Sequence, residues 1–418
     1  MHRHRLTLVF GWVVFAIVAA FYSYEYLLRI LPGVMTVDLM RAHHINTLSL
    51  GFLASAYYLT YSLMQLPVGV LIDYFGPKRL LLLAVLSCIL GSFLFASEHS
   101  FTAAFIGRVL IGFGSAFAFV GVLRTATLWL PVNQFAVATG FITTLGMIGG
   151  IIGDVSLSHL TVAYGWQCTV IISAIIGIPI FILMMCIPHR QPKMRSEQNY
   201  NFIDAILGLW QVAKKPIIWL NAIAGCLLYI PLSAFAELWG IPYLETVYQL
   251  PKVAAASSIS WVLLGWAIGA PLVGLISDKL GKRLPVLLIG SGLALLCVLI
   301  ILNVHFTEIY LLNLALVIFG ILCSGQILIM VIAKELVPTH VAATVMAFTN
   351  MLIMLGGMIF QPLIGNLVKG SSQDMIYHHL TQIDALRYTH ALYVIPAAIF
   401  VAMMLLIVSY NKHMNKAQ

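Results

Sequence analysis

Long apolar segments separated by short polar turns run along almost the whole chain. An α-helix needs about 20 apolar residues to cross the hydrocarbon core of a bilayer, and runs of this kind occur twelve times. The spans are predicted at about 9–31, 48–72, 80–96, 103–130, 136–159, 167–187, 216–241, 256–277, 284–303, 309–336, 342–368 and 389–410. Because no alternating ten-residue strand pattern occurs, every span is predicted to be helical. The predicted fold class is an all-α membrane protein with twelve transmembrane helices.

A polar segment at 188–215 divides these spans into two sets of six. We predict an N-terminal six-helix bundle over 1–187 and a C-terminal six-helix bundle with a short tail over 216–418. Inside the linker, residues Asn201 to Val212 carry apolar side chains at helical spacing. This pattern predicts a helix that lies on the cytoplasmic membrane surface and connects the two bundles.

A short charged loop occurs twice, once after span 2 and once after span 8. Each copy ends an apolar run with a glycine, places an aspartate four residues later and another glycine three residues further, and closes with a basic pair. The copies are 205 residues apart and comprise Gly69, Asp73, Gly76, Lys78 and Arg79, then Gly274, Asp278, Gly281, Lys282 and Arg283. A second repeat, at an offset of 207 residues, relates spans 4–5 to spans 10–11. Two parallel halves of this kind predict a transporter whose halves rock about a site at their interface.

Composition and charge placement agree with a membrane protein. Hydrophobic residues make up 61% of the chain and charged residues 9%, far from the balance of a soluble domain. Fourteen lysines and arginines lie in the predicted cytoplasmic segments, whereas four lie on the opposite side. By the positive-inside rule both termini are cytoplasmic. The net charge of +8 therefore reflects topology, and no nucleic-acid partner is expected.

The positions of the cysteine and histidine residues argue against disulfide bonds and against a metal site. The six cysteines lie inside or at the edges of spans without paired spacing, and none of the thirteen histidines lies in the middle of a span. We interpret the cysteines as small packing residues and expect no metal site. The chain has no Asn-x-Ser/Thr sequence, which fits a multi-pass protein of a bacterial inner membrane.

The two charged loops in a six-plus-six layout, together with Arg108-x3-Gly112-x-Gly114 in span 4, resemble the major facilitator superfamily. The resemblance covers nearly the whole chain. It implies a central cavity lined by spans 1, 4, 7 and 10. It also implies that the charged loops form a cytoplasmic gate, in which Asp73 braces the outward-open state.

A narrower resemblance rests on three stretches, namely Tyr24–Pro32 in span 1, Leu66–Gly69 before the first loop and Ala236–Gly240 in span 7. These look like the phagosomal (Pht-type) transporters of intracellular bacteria. That family takes up amino acids and, in some members, nucleosides. Lysosomal dipeptide carriers of the same superfamily are a more distant likeness.

Span 1 carries a pair of opposite charges, although an ionisable residue at a helix centre costs roughly 2.5–3.5 kcal/mol on insertion scales. Glu25 and Arg29 are four residues apart on one helical face and can pair. One reading is a pair that neutralises itself for insertion. In the other, Arg29 binds a substrate carboxylate by a forked hydrogen bond and Glu25 is released for an amino group or a proton. Tyr26, beside the pair, and Tyr57 and Tyr61, on one face of span 2, are further candidate substrate contacts.

Four further ionisable residues lie within the spans. Glu237 in span 7 has no basic neighbour within a turn, and a carboxylate in a low-dielectric site can exchange a proton near neutral pH. It is the first candidate for proton coupling and Glu25 the second; the alternative is a neutral acid that only hydrogen-bonds a neighbouring helix. Arg124, near the cytoplasmic end of span 4, either contributes to the substrate cavity or extends to that surface. Arg108 and Asp154 lie at matched depth in spans 4 and 5, and we expect a structural ion pair.

The predicted function is proton-coupled uptake of a small zwitterion, first of all an amino acid, by alternating access. The expected partners are that small molecule, protons and the lipid bilayer; the proton gradient supplies the energy without a cofactor, and the protein is expected to act as a monomer. A nucleoside or dipeptide carrier of the same fold is an alternative. A siderophore or drug exporter is disfavoured, because positions 150 and 154 hold glycine and aspartate where the antiporter signature of the superfamily has proline and glycine.

A membrane enzyme or a sensor would be a different class of protein. The sequence contains no Gly-x-Ser-x-Gly, no His-Glu-x2-His and no phosphate-binding loop with lysine. No soluble output domain is apparent that could carry a signal. We therefore expect a transporter and not an enzyme.

Overall fold

A computed structural model describes residues 2–98, 100–131, 134–189, 202–338, 341–369 and 382–417. Within these ranges the chain is helical and contains no β-strand. The helices of the first half and the linker are α1 (His2–Val34), α2 (Thr36–His43), α3 (Thr47–Met64), α4 (Val68–Phe75), α5 (Pro77–Phe95), α6 (Phe101–Trp129), α7 (Phe135–Cys186) and α8 (Phe202–Ala213).

The second half continues with eleven helical segments among the described residues. They are α9 (Pro216–Ile230), a π-helical segment (Pro231–Trp239), α10 (Gly240–Val247), α11 (Lys252–Leu280), α12 (Arg283–Asn303), α13 (Ile309–Cys323), a 3₁₀ segment (Ser324–Ile327), α14 (Leu328–Glu335), α15 (Ala342–Val368), α16 (Gln382–Leu392) and α17 (Val394–Ala417), where the π and 3₁₀ segments interrupt spans 7 and 10.

The all-α membrane fold class is confirmed. Ten helices of the described chain are long and apolar enough to cross a membrane. One of them, Thr144–Cys186, is 43 residues long and covers most of the predicted spans 5 and 6. Predicted span 2 appears as α3 and α4, whose apolar character is diluted by serine and tyrosine hydroxyls. The count of twelve spans, the cytoplasmic termini and the division into bundles at 188–215 stay predictions.

The linker is described in part. A helix forms at α8, as the apolar spacing predicts, and its place on the membrane surface stays a prediction. Three of the basic residues counted as cytoplasmic, Arg190, Lys193 and Arg195, lie outside the described residues.

Spans 5 and 6 are joined at a single glycine. Gly165 has φ 80° and ψ 164°, a conformation that is essentially restricted to glycine, and helical geometry resumes on both sides of it. The connection between these two spans is therefore a one-residue break inside α7.

Both halves of the molecule meet along paired helices. α3 packs against α15, α7 packs against α11, and α1 packs against the π-helical segment. At the outer end of the predicted topology, Thr47 donates to the Gly365 carbonyl at 2.6 Å, and Lys252 pairs with Asp38. These contacts hold the two halves together at that end.

The interruptions in spans 7 and 10 fall within their membrane-crossing lengths. Pro231, which has no backbone N–H to donate, begins the π-helical segment. The 3₁₀ segment of span 10 contains Gly325. Irregular turns of this kind often mark functional positions in helices, and the π-helical segment carries Glu237.

We predict that Gly165→Ala destabilises the protein by about 1–3 kcal/mol, because alanine is strained at this backbone conformation. Thermal unfolding of the purified protein in detergent measures the change. Gly290→Ala is the matched control, since Gly290 lies within helix α12 and an added Cβ would meet only a carbonyl oxygen at 3.6 Å. Equal melting temperatures for Gly165→Ala and the wild type would contradict this account of the break.

Candidate functional site

Three charged side chains are buried together at the interface of the two halves. Glu25 and Arg29 come from α1, and Glu237 comes from the π-helical segment of span 7. Their residues are 0, 4 and 2% exposed, respectively. Charges at this depth require partners, because their transfer from water is costly unless they are paired and hydrogen-bonded.

Arg29 is the centre of this cluster. Its Nη2 lies 2.5 Å and its Nε 3.2 Å from Glu25 Oε1, so both donors reach one carboxylate oxygen. The Nε atom also lies 3.0 Å from the hydroxyl of Tyr57, and Nη1 lies 3.5 Å from that of Tyr229. Nη1 is 3.8 Å from Glu237 Oε1. One guanidinium therefore connects carboxylates of the two halves.

Aromatic rings surround the same guanidinium. The Arg29 Cζ atom lies 4.5 Å from the ring centroid of Tyr26, 5.1 Å from that of Tyr61 and 5.3 Å from that of Tyr57. Tyr57 and Tyr61 are stacked on each other with centroids 5.5 Å apart. These distances are within the range of cation–π attraction, which adds to the ion pairing where water is excluded.

Glu237 is held by hydroxyl donors as well as by the arginine. Tyr58 donates to its Oε2, and Tyr26 donates to its Oε1 at 3.5 Å. The close approach of α1 makes this contact possible, since a Cβ on Gly33 would lie 2.5 Å from the Glu237 carbonyl oxygen. The expectation from sequence that Glu237 has no basic neighbour holds within span 7 only. Arg29 of span 1 reaches it across the interface.

The cluster contains more acid than base. Two carboxylates face one guanidinium, and Tyr57 donates to the same oxygen of Glu25 that Arg29 uses. The second oxygen, Glu25 Oε2, has no hydrogen-bond partner among the described residues. The arrangement can thus take up a proton or a further cationic group. Across the residues that the structure describes, no three His, Cys, Asp or Glu side chains are grouped to hold a metal ion.

Six of the seven candidate substrate and proton-coupling residues predicted from sequence lie in this one cluster, namely Glu25, Tyr26, Arg29, Tyr57, Tyr61 and Glu237. Sequence reasoning missed the hydroxyl of Tyr58, a position that does not share the face of Tyr57 and Tyr61, and that of Tyr229 in span 7. The available signal for Tyr229 was a hydroxyl in an otherwise apolar run directly before Pro231.

The structure corrects the assignment of Arg124 to the substrate cavity. Its Nη2 lies 2.8 Å from Asp73 Oδ1, and the two side chains are 35 and 62% exposed. Because Arg124 extends to the surface of the bundle, it contacts the charged loop after span 2 and not the Arg29 cluster.

The predicted ion pair between Arg108 and Asp154 is also wrong. Arg108 donates to the backbone carbonyls of Leu28 at 2.9 Å and of Arg29 and Ala54 at 3.3 Å. It therefore fastens span 4 to spans 1 and 2 through carbonyl oxygens. Asp154 lies at a different contact, where Ser260 Oγ is 3.4 Å from its Oδ2.

The two charged loops form ion pairs of opposite polarity. In the first half, Asp73 of the loop pairs with Arg124 of span 4. In the second half, Arg283 lies 2.5 Å from Asp278 within the loop and 3.3 Å from Glu335 of span 10. The loop thus supplies the acid in one half and the base in the other.

The remaining loop residues serve the turns and their anchoring. Gly76 and Gly281 have φ values of 80° and 62°, which favour glycine. Lys78 donates to two carbonyls at the end of α7, at 2.8 and 2.5 Å. Arg79 and Lys282 are exposed. A Cβ on Gly69 or Gly274 would meet no atom within 4 Å, so packing does not require these two glycines in this conformation.

We predict that Arg29→Met destabilises the protein by about 3–5 kcal/mol, because it leaves two buried carboxylates without their cation. The loss should grow as the pH rises, since the carboxylates then lose the protons that neutralise them. Thermal unfolding in detergent at several pH values measures both effects. The triple variant Arg29→Met, Glu25→Gln, Glu237→Gln removes all three charges and should recover most of the stability; if it is no more stable than Arg29→Met, the charge balance is not what holds the cluster.

Comparison with known proteins agrees with the helical membrane fold described above. Residues 12–361 match the family model described as Major Facilitator Superfamily. The chain is 24% identical over 207 residues to the probable galactarate/D-glucarate transporter GarP of Escherichia coli (strain K12), a match that covers 47% of this chain and 45% of that one. It is 23% identical over 301 residues to the probable sulfoacetate transporter SauU of Cupriavidus necator, with 68% of each covered. The uncharacterized transporter YybO of Bacillus subtilis is 24% identical, with 45% of this chain and 44% of that one covered. The matches to YybO and GarP thus span less than half of those relatives.

Solved structures share the fold. An inward-facing, occupied bacterial homologue of the human lysosomal transporter Spinster superposes with a TM-score of 0.75 at 14% identity, covering 96% of both chains. A D-xylose–proton symporter superposes with a TM-score of 0.71 at 13% identity, covering 94% of this chain and 97% of that one. The family model covers most of the chain, and the apolar helices of the chain suit a multi-pass protein of the inner membrane. The relatives and solved structures named above are transporters and not enzymes. The chain belongs to the Major Facilitator Superfamily.

Proposed function

We propose that this transporter takes up a small zwitterion, first of all an amino acid, by proton symport and alternating access. The observation that carries the proposal is the buried guanidinium of Arg29, which lies between Glu25 of one half and Glu237 of the other. Amino acids are also the substrates that the likeness of spans 1 and 7 to phagosomal transporters implies.

Arg29 is suited to a substrate carboxylate. A guanidinium offers paired N–H donors that match a carboxylate, a geometry that lysine cannot reproduce. In the closed cluster Glu25 occupies this position with one oxygen, while its other oxygen has no described partner. A substrate carboxylate that replaces Glu25 at Arg29 releases that side chain, which can then bind the substrate ammonium group.

Proton coupling follows from the charge balance. With both carboxylates ionised, the cluster carries one net negative charge, and one proton neutralises it. A zwitterion adds one charge of each sign, so the site stays neutral when one proton accompanies the substrate. In this scheme the proton resides on Glu237, which weakens its attraction to Arg29. Since that attraction joins spans 1 and 7, its loss favours separation of the halves.

Uptake into proteoliposomes tests the proposal directly. Purified protein is reconstituted, and labelled amino acids are offered one at a time with and without an inward proton gradient. We expect at least one amino acid to accumulate only with the gradient. If no amino acid accumulates above gradient-free vesicles, amino acids are removed as the substrate class.

We predict that Glu237→Gln abolishes gradient-driven accumulation and spares substrate exchange, since glutamine keeps the hydrogen bonding of a neutral acid and cannot release a proton. Counterflow between preloaded vesicles and medium measures exchange. Loss of neither activity would remove Glu237 from the coupling mechanism.

Measurements of substrate affinity distinguish the roles of Arg29 and Arg124. Arg29→Gln should weaken binding about 10- to 100-fold, because charge-assisted hydrogen bonds to the carboxylate are lost. Arg124→Gln removes the same charge at the Asp73 loop and should leave the affinity unchanged. Substrate-induced stabilisation in a thermal unfolding titration reports both affinities. Equal weakening by the two changes would contradict the placement of the substrate at Arg29.

An organic-acid anion is the second candidate, favoured by the relatives named for galactarate, D-glucarate and sulfoacetate. An anion without an ammonium group would need one proton more than a zwitterion of equal acid content to leave the cluster neutral. The same vesicles, supplied with labelled sugar acids and sulfonates, distinguish the two classes. Nucleosides and dipeptides, which the phagosomal and lysosomal likenesses imply, complete the panel.

A further inference from the structure

A further buried carboxylate lies outside the Arg29 cluster, where the two halves meet. Asp154 of span 5 is 1% exposed, and its nearest polar partner, Ser260, belongs to span 8 of the other half. Its Oδ1 has no hydrogen-bond partner among the described residues. Nothing in the transport scheme above uses this residue.

No cation among the described residues compensates Asp154. None of the ion pairs formed by the described side chains includes it. Arg29 is committed to Glu25 and Glu237, and Arg108 of span 4 is committed to backbone carbonyls. An ionised carboxylate in this position would be buried without a partner, which costs far more than burial of the neutral acid.

The surroundings of Asp154 on spans 1, 7 and 8 are otherwise apolar, aromatic or acidic. From span 1, Ile30 and Leu27 lie against the adjacent Gly153, and the Tyr26 ring lies against Gly150 one turn away. From span 8, Leu263 lies against Gly150, next to Ser260. From span 7, the charged group that acts on Asp154 is Glu237, which is itself acidic.

The single hydrogen of the Ser260 hydroxyl also indicates that Asp154 is protonated. Ser260 Oγ lies 3.0 Å from the carbonyl oxygen of Ala256 and 3.4 Å from Asp154 Oδ2. A hydroxyl has one hydrogen, and the shorter distance assigns it to the Ala256 carbonyl. The contact between Ser260 and Asp154 then holds a hydrogen only if Asp154 supplies it.

We infer that Asp154 is a proton-binding site built into the contact between spans 5 and 8, protonated while the outer end is closed. Its protonated oxygen donates to Ser260 across the interface. When the halves part at this end, water reaches the carboxyl group and the proton can leave as a hydronium ion. Proton binding to Asp154 therefore favours the closed outer end.

This inference extends the proton coupling proposed above, and its test needs no substrate. Because the closed form holds one more proton than the open form, the open-to-closed ratio should rise about tenfold per pH unit once the open form loses its proton. A wrong substrate assignment would leave that dependence unchanged.

Distances between spin labels at the outer end measure the ratio. The labels are placed on Arg41→Cys of the first half and Thr307→Cys of the second, both exposed, in a chain whose six cysteines are replaced by alanine. From about pH 5 to about pH 9, the parent protein should gain a population with a longer distance. Asp154→Asn, which mimics the protonated acid, should keep the short distance throughout.

Two serine variants of span 8 sharpen the test. Ser260→Ala removes the acceptor of the proton and should shift the transition to lower pH by about one unit, the equivalent of one hydrogen bond. Ser258→Ala is the matched control, since Ser258 is a buried serine of the same helix whose hydroxyl has no described partner, and it should leave the transition unchanged.

Other outcomes overturn the inference. It fails if the parent distances do not depend on pH, or if Asp154→Asn keeps the parent transition. It also fails if Glu237→Gln removes the transition while Asp154→Asn does not, because the proton then belongs to the Arg29 cluster. A transition that follows sodium concentration at constant pH would make Asp154 a sodium ligand instead.

Discussion

The balance of charge around one buried guanidinium is the constraint on which the centre of this transporter depends. Arg29 lies in the membrane interior between Glu25 and Glu237, and tyrosine hydroxyls complete its contacts. Removal of the Arg29 charge leaves both carboxylates without compensation, in surroundings where water cannot supply it. A substrate carboxylate can bind Arg29 only by exchange for an existing contact, which makes the cluster both a structural element and a selective site.

The close approach of the α1 backbone to the backbone of span 7 brings Arg29 and Glu237 within reach of each other. Gly33 lets α1 lie against the backbone of span 7, and the π-helical segment that begins at Pro231 turns Glu237 toward that surface. Arg108 reinforces the arrangement by binding carbonyls of spans 1 and 2. The site is thus held by several helices, and none of them contains it alone.

Sequence spacing was sufficient where the residues share a helix. Glu25 and Arg29 are one turn apart and pair as the spacing predicts, and Tyr57 and Tyr61 lie on one face of span 2. Contacts between distant helices were beyond such reasoning. Equal depth suggested that Arg108 pairs with Asp154, but the direction of the Arg108 side chain depends on the backbone carbonyls of the packed neighbouring helices. The sequence of span 4 alone also cannot show whether Arg124 faces the cavity or the loop. The all-α membrane fold of the family, by contrast, follows from hydrophobicity and repeats, which a single chain displays openly.

The single-glycine connection within helix α7 affects how spans 5 and 6 can move. Its two limbs are joined by one glycine, so the connection has no slack to absorb a shift of either limb. One limb carries Asp154 at the interface with span 8, and the other ends at Met185 and Ile187, whose carbonyls bind Lys78 of the charged loop. A displacement of span 5 near Asp154 therefore moves span 6 through this short connection. The far end of span 6 binds Lys78, so the displacement reaches the charged loop at the opposite end of the molecule.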